Sequence, residues 1–111
     1  MEANKLPIID WELAIKLAGN KREVAEEILG MLLKTLHADI SAIQHSFQQQ
    51  KYHEMGKQLH KLHGALCYCG LPRIKNLVAQ MEVNIKNDTI NDLSVQLESL
   101  NTEVNLLMKQ L

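Results

Sequence analysis

Apolar residues recur along most of this chain at alternating spacings of three and four, the pattern of one buried face of an α-helix. Four such runs are long, and they extend from Ala25 to Phe47, from Tyr52 to Cys69, from Ile74 to Ile85 and from Ile90 to Leu111. The first predicts a helix of about 27 residues, roughly 40 Å long. The pattern therefore predicts four long amphipathic helices and favours helix over strand almost everywhere.

Residues that start and stop helices lie between these runs. Asp10 is a suitable N-cap for a short leading helix that ends at Leu17, and Gly19 follows it. Asn20 and Glu23 have the spacing of a capping box, which predicts Asn20 as the N-cap of the first long helix. We therefore expect one short helix before the four long ones.

The remaining junctions also carry turn signals. Gly70 suits the left-handed conformation that ends many helices, and Pro72 suits the first position of the next helix. Asn87 and Asp88 mark the turn before the last helix. Short turns between long helices favour neighbours that run in opposite directions. The sequence thus predicts an all-α fold, an antiparallel up-down-up-down four-helix bundle with a short extra N-terminal helix, formed as a single domain by residues 1–111.

The composition narrows the classes of function. The 12 Lys and Arg residues nearly balance the 13 Asp and Glu residues, so no general field attracts nucleic acid or an anionic membrane. No apolar run approaches the roughly 18 residues of a membrane span, and the opening MEANKLPIID lacks the apolar stretch of a signal peptide. Cys67 and Cys69 point in different directions on a helix, which favours reduced thiols. We expect a cytoplasmic monomer that contacts neither nucleic acid nor membrane.

One of the five histidines, His60, is predicted to lie about 130° from the centre of the apolar stripe of its helix. The residues beside it on the same flank, Gly56, Gly64 and Cys67, are all small. A glycine inside a helix costs about 1 kcal/mol relative to alanine, so two beside one histidine need a reason. Either they keep the ring accessible to a partner and to a phosphoryl group, or they let a neighbouring helix pack closely. The sequence leaves both explanations open.

Cationic side chains lie close to His60. Lys57 and Lys61 are long enough to reach an anion on the ring, and His63 supplies a third donor. Each lysine alone would fit an ordinary solvated helix face. Only the combination of an exposed ring, small neighbours and cations indicates a histidine that carries an anionic group.

The sequence HKLHG at residues 60–64, followed by Gly70, resembles the signature of histidine phosphotransfer (HPt) domains. In that family a histidine precedes a basic residue by three positions and a glycine by four. The similarity extends over most of the chain, including IDWE at residues 9–12 and the stretch from Gly19 to Leu36. The chain is most similar to the C-terminal HPt domains of BarA-type hybrid sensor kinases, above all over residues 59–76.

By this resemblance His60 is the phospho-acceptor, and His63 takes the place of the usual basic lysine. A histidine is only partly charged near neutral pH, so stabilisation of the phosphate rests more on Lys57 and Lys61, or on a protonated His63.

The resemblance also assigns roles around the ring. Gly64 is the small residue that keeps the site open, and Gly56 is expected to add to this steric access. Glu82 falls where many members carry a polar amide on the next helix, which weakens the expectation of a supporting hydrogen bond from it. Glu82 and Cys67 are kept as candidates for a supporting or docking role.

The implied function is a phosphorelay intermediate in two-component signal transduction. It would accept a phosphoryl group from a receiver domain of a hybrid kinase and pass it to the receiver domain of a response regulator, in the cytoplasmic part of a sensor kinase or beside one. The sequence contains neither GxGxxG nor GxxxxGK[ST], so we expect a phosphocarrier without kinase activity of its own. We expect no cofactor bound by this chain, and Mg²⁺ in the partner receiver domain.

Two other interpretations stay open. His60, His63 and Cys67 could place three zinc-type ligands on one flank, although no fourth ligand is evident from the sequence. The bundle could also be an interaction module without phosphotransfer, with His60 an ordinary surface residue, because helical bundles host many functions.

Overall fold

The computed structural model describes residues 6–111, and these residues form five α-helices and one short 3-10 helix, with no β-strand among them. The helices are α1 (Trp11–Leu17), α2 (Arg22–Gln48), α3 (Tyr52–Leu66), α4 (Pro72–Lys86) and α5 (Leu93–Lys109), and the 3-10 helix (Ile90–Asp92) precedes α5. The prediction of an all-α bundle with a short leading helix is confirmed. The up-down-up-down order and the single domain over residues 1–111 stay predictions. The prediction that residues 1–10 contain no signal peptide depends partly on residues 1–5, which lie outside the described residues.

One core joins the four long helices. They pack in chain order, α2 against α3, α3 against α4 and α4 against α5, while α1 lies against α2. Each long helix buries the apolar face that the sequence predicts, and the largest fully buried side chains include Leu36, Ile43, Met55, Leu59, Leu66, Ile74, Met81, Leu93, Leu100 and Leu107. Burying one such side chain contributes about 1.5–3 kcal/mol, so this core fixes the rotation of each helix. None of the helices within residues 6–111 combines the length and hydrophobicity needed to cross a bilayer.

The last helix is shorter than its apolar pattern predicts. Ile90 lies in the 3-10 helix and is 36% exposed, α5 begins only at Leu93, and Leu111 lies beyond its end. The prediction of a helix from Ile90 to Leu111 is therefore wrong at both ends. The preceding turn causes the late start, because Asp88 has a φ of +55° and the amide of Thr89 bonds back into α4 at 2.9 Å.

The junction between α1 and α2 confirms one cap and corrects another. Asp10 caps α1 as predicted, because its Oδ1 accepts a hydrogen bond from the Leu13 amide at 3.0 Å. The predicted capping box at the start of α2 is wrong. Asn20 has a φ of +66° and its amide donates to the Ile15 carbonyl at 2.8 Å, so it closes the end of α1. The N-cap of α2 is Lys21, whose backbone has the extended conformation that an N-cap needs.

The corner between α3 and α4 holds the N-terminal segment against the bundle. Gly70 has a φ of +68°, the predicted left-handed conformation, and its carbonyl accepts a hydrogen bond from the Asp10 amide at 2.8 Å. An added Cβ would lie 2.6 Å from the Asp10 carbonyl oxygen and 2.7 Å from the Ala14 Cβ. Glycine alone fits this corner without strain. Pro72 then begins α4, as predicted.

Candidate functional site

His60 lies on the outer side of α3. Leu59 and Leu62 fix the rotation of this helix because both are buried in the core. That rotation turns the imidazole outward, and its side chain is 77% exposed. The predicted exposure is confirmed, so the ring is accessible to a partner.

The carboxylate of Glu82 on α4 holds the His60 ring. Its Oε2 lies 2.7 Å from His60 Nδ1, the length of a strong hydrogen bond, and the Glu82 side chain is only 12% exposed. From the sequence, the replacement of the family's amide by Glu82 makes a supporting hydrogen bond doubtful, and this prediction is wrong because the hydrogen bond is present. A carboxylate accepts from the ring as an amide oxygen does.

This hydrogen bond determines which ring nitrogen can react. A carboxylate only accepts hydrogen bonds, so Nδ1 of the neutral ring carries the proton. Nε2 then has the free lone pair. Because the two nitrogens face in different directions, Nε2 faces away from the Glu82 carboxylate. His60 thus presents a nucleophilic nitrogen at an exposed position.

Glu82 also lies beside His63. Its Oε1 is 3.6 Å from His63 Nδ1, which is too long for a hydrogen bond but close enough for attraction when His63 is protonated. The His63 side chain is 30% exposed. The nearly buried Glu82 carboxylate therefore lies beside both histidines and is hydrogen-bonded to His60 alone. Stabilisation of a phosphate by His63 stays a prediction.

Sequence reasoning did not identify Glu82 as the residue that links the two histidines. A signal was present, because Glu82 directly follows the buried Met81 and so lies at the edge of the packed face of α4. A polar residue at such an edge can reach across to the neighbouring helix.

The two glycines beside His60 have different surroundings. An added Cβ at Gly56 would lie 3.0 Å from Ile85 Cγ2 of α4, whereas one at Gly64 would meet no described atom within 4 Å outside its own helix backbone. Close helix packing therefore accounts for Gly56. Gly64 leaves open surface one turn from His60, which is what an accessible ring requires. A role of either glycine in access stays a prediction.

Lys57 and Lys61 lie in different grooves beside the ring. Lys57 lines an open cleft of about 530 Å³ between α3 and α4, together with His60, Tyr52 and Ile85. Lys61 lines a groove between α2 and α3. Both lysines are exposed, and neither forms an ion pair with a described residue. Their ammonium groups are therefore available to an incoming anion.

The cysteines give no support to the zinc alternative. Cys67 is half-exposed at the end of α3, but within residues 6–111 no group of three or more His, Cys, Asp or Glu side chains is placed to hold a metal ion. Cys69 is buried and its Sγ donates to the Ala65 carbonyl at 3.3 Å. Burial and the neighbouring Cys67 raise the pKa of Cys69 to about 11, so it stays a protonated thiol. A supporting role for Cys67 stays a prediction.

The fold and the site together define a class of protein, a helical bundle that presents an exposed histidine held by a carboxylate. A model of the Hpt domain matches residues 27–111. The chain belongs to the Hpt domain family, and this membership supports a role in a phosphorelay.

This chain is also similar in sequence to known sensor kinases and in structure to a solved HPT domain. Sensor protein GacS of Pseudomonas syringae pv. syringae is 31% identical over an alignment of 106 positions that covers 90% of this chain and 12% of that protein. Signal transduction histidine-protein kinase BarA of Escherichia coli (strain K12) is 30% identical over 103 residues, 92% of this chain and 11% of that protein. The chain thus spans about a tenth of the length of these relatives.

The crystal structure of the HPT domain from an Hpt sensor hybrid histidine kinase of Shewanella has 33% identity and a TM-score of 0.79, covering 94% of this chain and 96% of that one. The resemblance to BarA-type HPt domains is confirmed.

Proposed function

We propose that this chain is a phosphorelay intermediate that accepts a phosphoryl group on His60 from a receiver-domain aspartate and passes it to a response regulator. The observation that carries the proposal is the hydrogen bond of 2.7 Å between Glu82 Oε2 and Nδ1 of an exposed ring. It assigns the proton to one ring nitrogen and leaves the other able to react. Membership of the Hpt family supports the same role.

In the transfer step the lone pair of His60 Nε2 attacks the phosphorus of the aspartyl phosphate. A P–N bond forms while the P–O bond to the aspartate breaks, and the aspartate leaves as a carboxylate. Nδ1 keeps its proton, so no base has to remove one. The ring becomes positively charged beside the Glu82 carboxylate, which stabilises that charge. The reverse steps deliver the group to a second receiver, with neutral imidazole as the leaving group.

Cations around the ring stabilise the phosphoryl group in this proposal. Lys57 and Lys61 approach it from two grooves, and charge-assisted hydrogen bonds from ammonium groups suit phosphate oxygens. A protonated His63 would add positive charge and would balance the Glu82 carboxylate at 3.6 Å. Mg²⁺ is assigned to the acidic pocket of the receiver, and no cofactor is assigned to this chain.

The partners proposed are receiver domains. The relatives are sensor proteins and histidine kinases, and the solved relative comes from a hybrid histidine kinase. We assign the donor to a receiver domain of such a hybrid kinase and the acceptor to a response regulator. The chain is proposed to act as a monomer in the cytoplasm, within a membrane-bound sensor kinase or beside one.

Incubation with a receiver domain that carries radioactive phosphate tests the proposal. We expect label to move to this chain and to be lost in acid but kept in base, because a phosphoramidate on histidine behaves in this way. Acid-stable label would indicate a phosphoester on a hydroxyl group and would contradict the proposal. A chain that takes no label from any receiver of its own organism would contradict it as well.

Gly64→Leu should leave the bundle folded but slow transfer by about a hundredfold, or roughly 2.7 kcal/mol in the barrier. An added Cβ meets open space, and leucine has the higher helix propensity, so the fold should persist. The longer side chain would cover the surface through which a receiver reaches His60. Circular dichroism and the transfer rate measure the two effects. Gly64→Ala adds a single methyl group and should keep most of the rate, whereas unimpaired transfer in Gly64→Leu would favour a role in packing.

A further inference from the structure

The open cleft between α3 and α4, which we call the α3–α4 cleft, has the size of a site for a small molecule. Its volume is about 530 Å³, and pockets that hold small ligands range over roughly 300–1,000 Å³. The outermost residues that line it on α3 are Tyr52 and His60, eight positions apart or about 12 Å along the helix axis. Three turns of a partner helix would need about 16 Å. The cleft therefore suits a small molecule better than a helix.

The floor of the cleft is apolar. Ile85 is half-buried and packs against the core, and the half-buried Tyr52 has its ring edge-to-face with Phe47, at 6.4 Å between centroids. Gly56 also lines the cleft and has no side chain. Bare backbone lets a flat molecule approach closely, and a tyrosine ring offers it a surface to pack against. The floor therefore suits the aromatic body of a ligand.

Two lysines from different helices line the rim. Lys57 directly follows Gly56 on α3. Lys86 directly follows Ile85 on α4, and Ile85 lies against Gly56, so the lysines are at the same level of the cleft. Both are exposed, and neither forms an ion pair with a described residue. Ammonium groups form charge-assisted hydrogen bonds with phosphate, carboxylate or sulfonate oxygens, so the rim suits an anion.

Two carboxylates also line the cleft, and they limit where that anion can lie. Glu82 is only 12% exposed, and its Oε2 is already hydrogen-bonded to His60 Nδ1 at 2.7 Å. Asp88 is exposed in the turn after α4, beyond Lys86 and so at the end away from His60. Its charge repels an anion from that end. The anionic group is therefore placed between the lysines, on the side of His60.

We propose that the α3–α4 cleft binds a small amphipathic anion, an aromatic molecule with one phosphate, carboxylate or sulfonate group, and that its occupant slows phosphoryl transfer at His60. Lys57 and His60 line the same cleft, so the bound anion occupies an ammonium group that the proposed function assigns to the phosphoryl group. The binding site is independent of the proposed function, and only the effect on transfer rests on it.

Binding of 1-anilinonaphthalene-8-sulfonate, a fluorescent aromatic anion, tests the site. Lys86→Gln removes a cation from the cleft. Lys109→Gln is the matched control, because both lysines are exposed in the last turn of a helix and favour its negative end equally. We expect Lys86→Gln to raise Kd by about threefold to fivefold and Lys109→Gln to leave it unchanged. Absence of binding, or equal Kd values in the two variants, would overturn the proposal.

Removal of the opposing charge should have the opposite effect. Asp88→Asn keeps the turn, because asparagine tolerates a φ of +55°, and it removes the repulsion at the end of the cleft. We expect Kd to fall by about twofold to threefold, and less in high salt. The uncharged N-phenyl-1-naphthylamine has the same aromatic body and should bind all variants equally. If it responds to Lys86→Gln as the sulfonate does, the lysine does not act on the anion and the proposal fails.

NMR locates the bound sulfonate. Nuclear Overhauser effects should connect its aromatic protons with the methyl groups of Ile85 on the floor of the cleft. Met31 and Tyr68 are exposed apolar side chains elsewhere on the bundle, 67% and 60% exposed. Contacts with these two in place of Ile85 would indicate an adventitious additive only and would overturn the proposal.

Transfer to His60 tests the second part of the proposal. A saturating concentration of the sulfonate should slow transfer from a phosphorylated receiver by at least about fivefold, with half of the effect at its Kd. In Lys86→Gln the concentration for half of the effect should rise together with Kd. Binding in the cleft with unchanged transfer would overturn this second part. If the chain takes phosphate from no donor even without the sulfonate, the proposed function fails, and the binding measurements still decide whether the site exists.

Discussion

His60→Gln should reduce phosphoryl transfer to this chain by more than about a thousandfold, which corresponds to roughly 4 kcal/mol in the barrier. Glutamine can still donate an amide hydrogen bond to the Glu82 carboxylate, but its nitrogen has no lone pair free to form a P–N bond. The His60 side chain is 77% exposed, so its loss should leave the free energy of unfolding nearly unchanged. Label transfer and urea unfolding measure the two quantities.

His53→Gln is the matched control for this substitution. His53 is exposed on the same helix and lines the same α3–α4 cleft, but no described carboxylate lies within ion-pair distance of it. We expect this variant to accept label at the normal rate. Label that persists in His60→Gln and is lost in His53→Gln would show that the wrong histidine has been assigned.

Gly70→Ala should lower the free energy of unfolding by about 3 kcal/mol or more. A left-handed backbone at a residue with a Cβ costs about 1–2 kcal/mol. The Cβ would also lie 2.6 Å from the Asp10 carbonyl oxygen and 2.7 Å from the Ala14 Cβ, so α1 would have to move away from the corner. In a domain of this size such a loss lowers Tm by more than about 10 °C. Urea and thermal unfolding measure the change.

Substitutions at two other glycines distinguish the two causes of the loss of stability in Gly70→Ala, the left-handed backbone and the crowding around the added Cβ. Gly19 has a φ of +70° with no described atom within 4 Å of an added Cβ, so Gly19→Ala should show the conformational cost alone, about 1–2 kcal/mol. Gly30 lies within α2 with open space around it, so Gly30→Ala should stabilise the chain by about 0.5–1 kcal/mol. If Gly70→Ala costs no more than Gly19→Ala, the crowding at the corner does not limit stability.

The helix interiors can be predicted from the sequence because the spacing of apolar residues depends only on which face is buried. The helix ends cannot be predicted equally well. Asn20 suits both an N-cap and a left-handed turn, and the choice depends on where α1 stops against α2. Ile90 continues the apolar spacing of the last helix, but the turn at Asp88 and Thr89 delays its start. At both places tertiary geometry decides between two locally acceptable conformations.

In the candidate site, too, some features can be predicted from the sequence and others depend on how the helices pack. The exposure of His60 follows from the wheel of its own helix, which the sequence defines. The hydrogen bond from Glu82 depends on the rotation and the offset of α4 against α3, which no pattern within one helix determines. Gly56 and Gly64 are equivalent neighbours of His60 in the sequence, and they differ in the structure because Ile85 of α4 lies over only one of them.

The position of the phosphate on the ring tests the central claim most directly. The chain is labelled with ¹⁵N in its histidines, phosphorylated by a receiver domain and examined by NMR at alkaline pH, where phosphohistidine is stable. We predict coupling between ³¹P and Nε2 of His60, because Glu82 keeps the proton on Nδ1 at 2.7 Å. Phosphate on Nδ1, or on any residue other than His60, would contradict this account of the site.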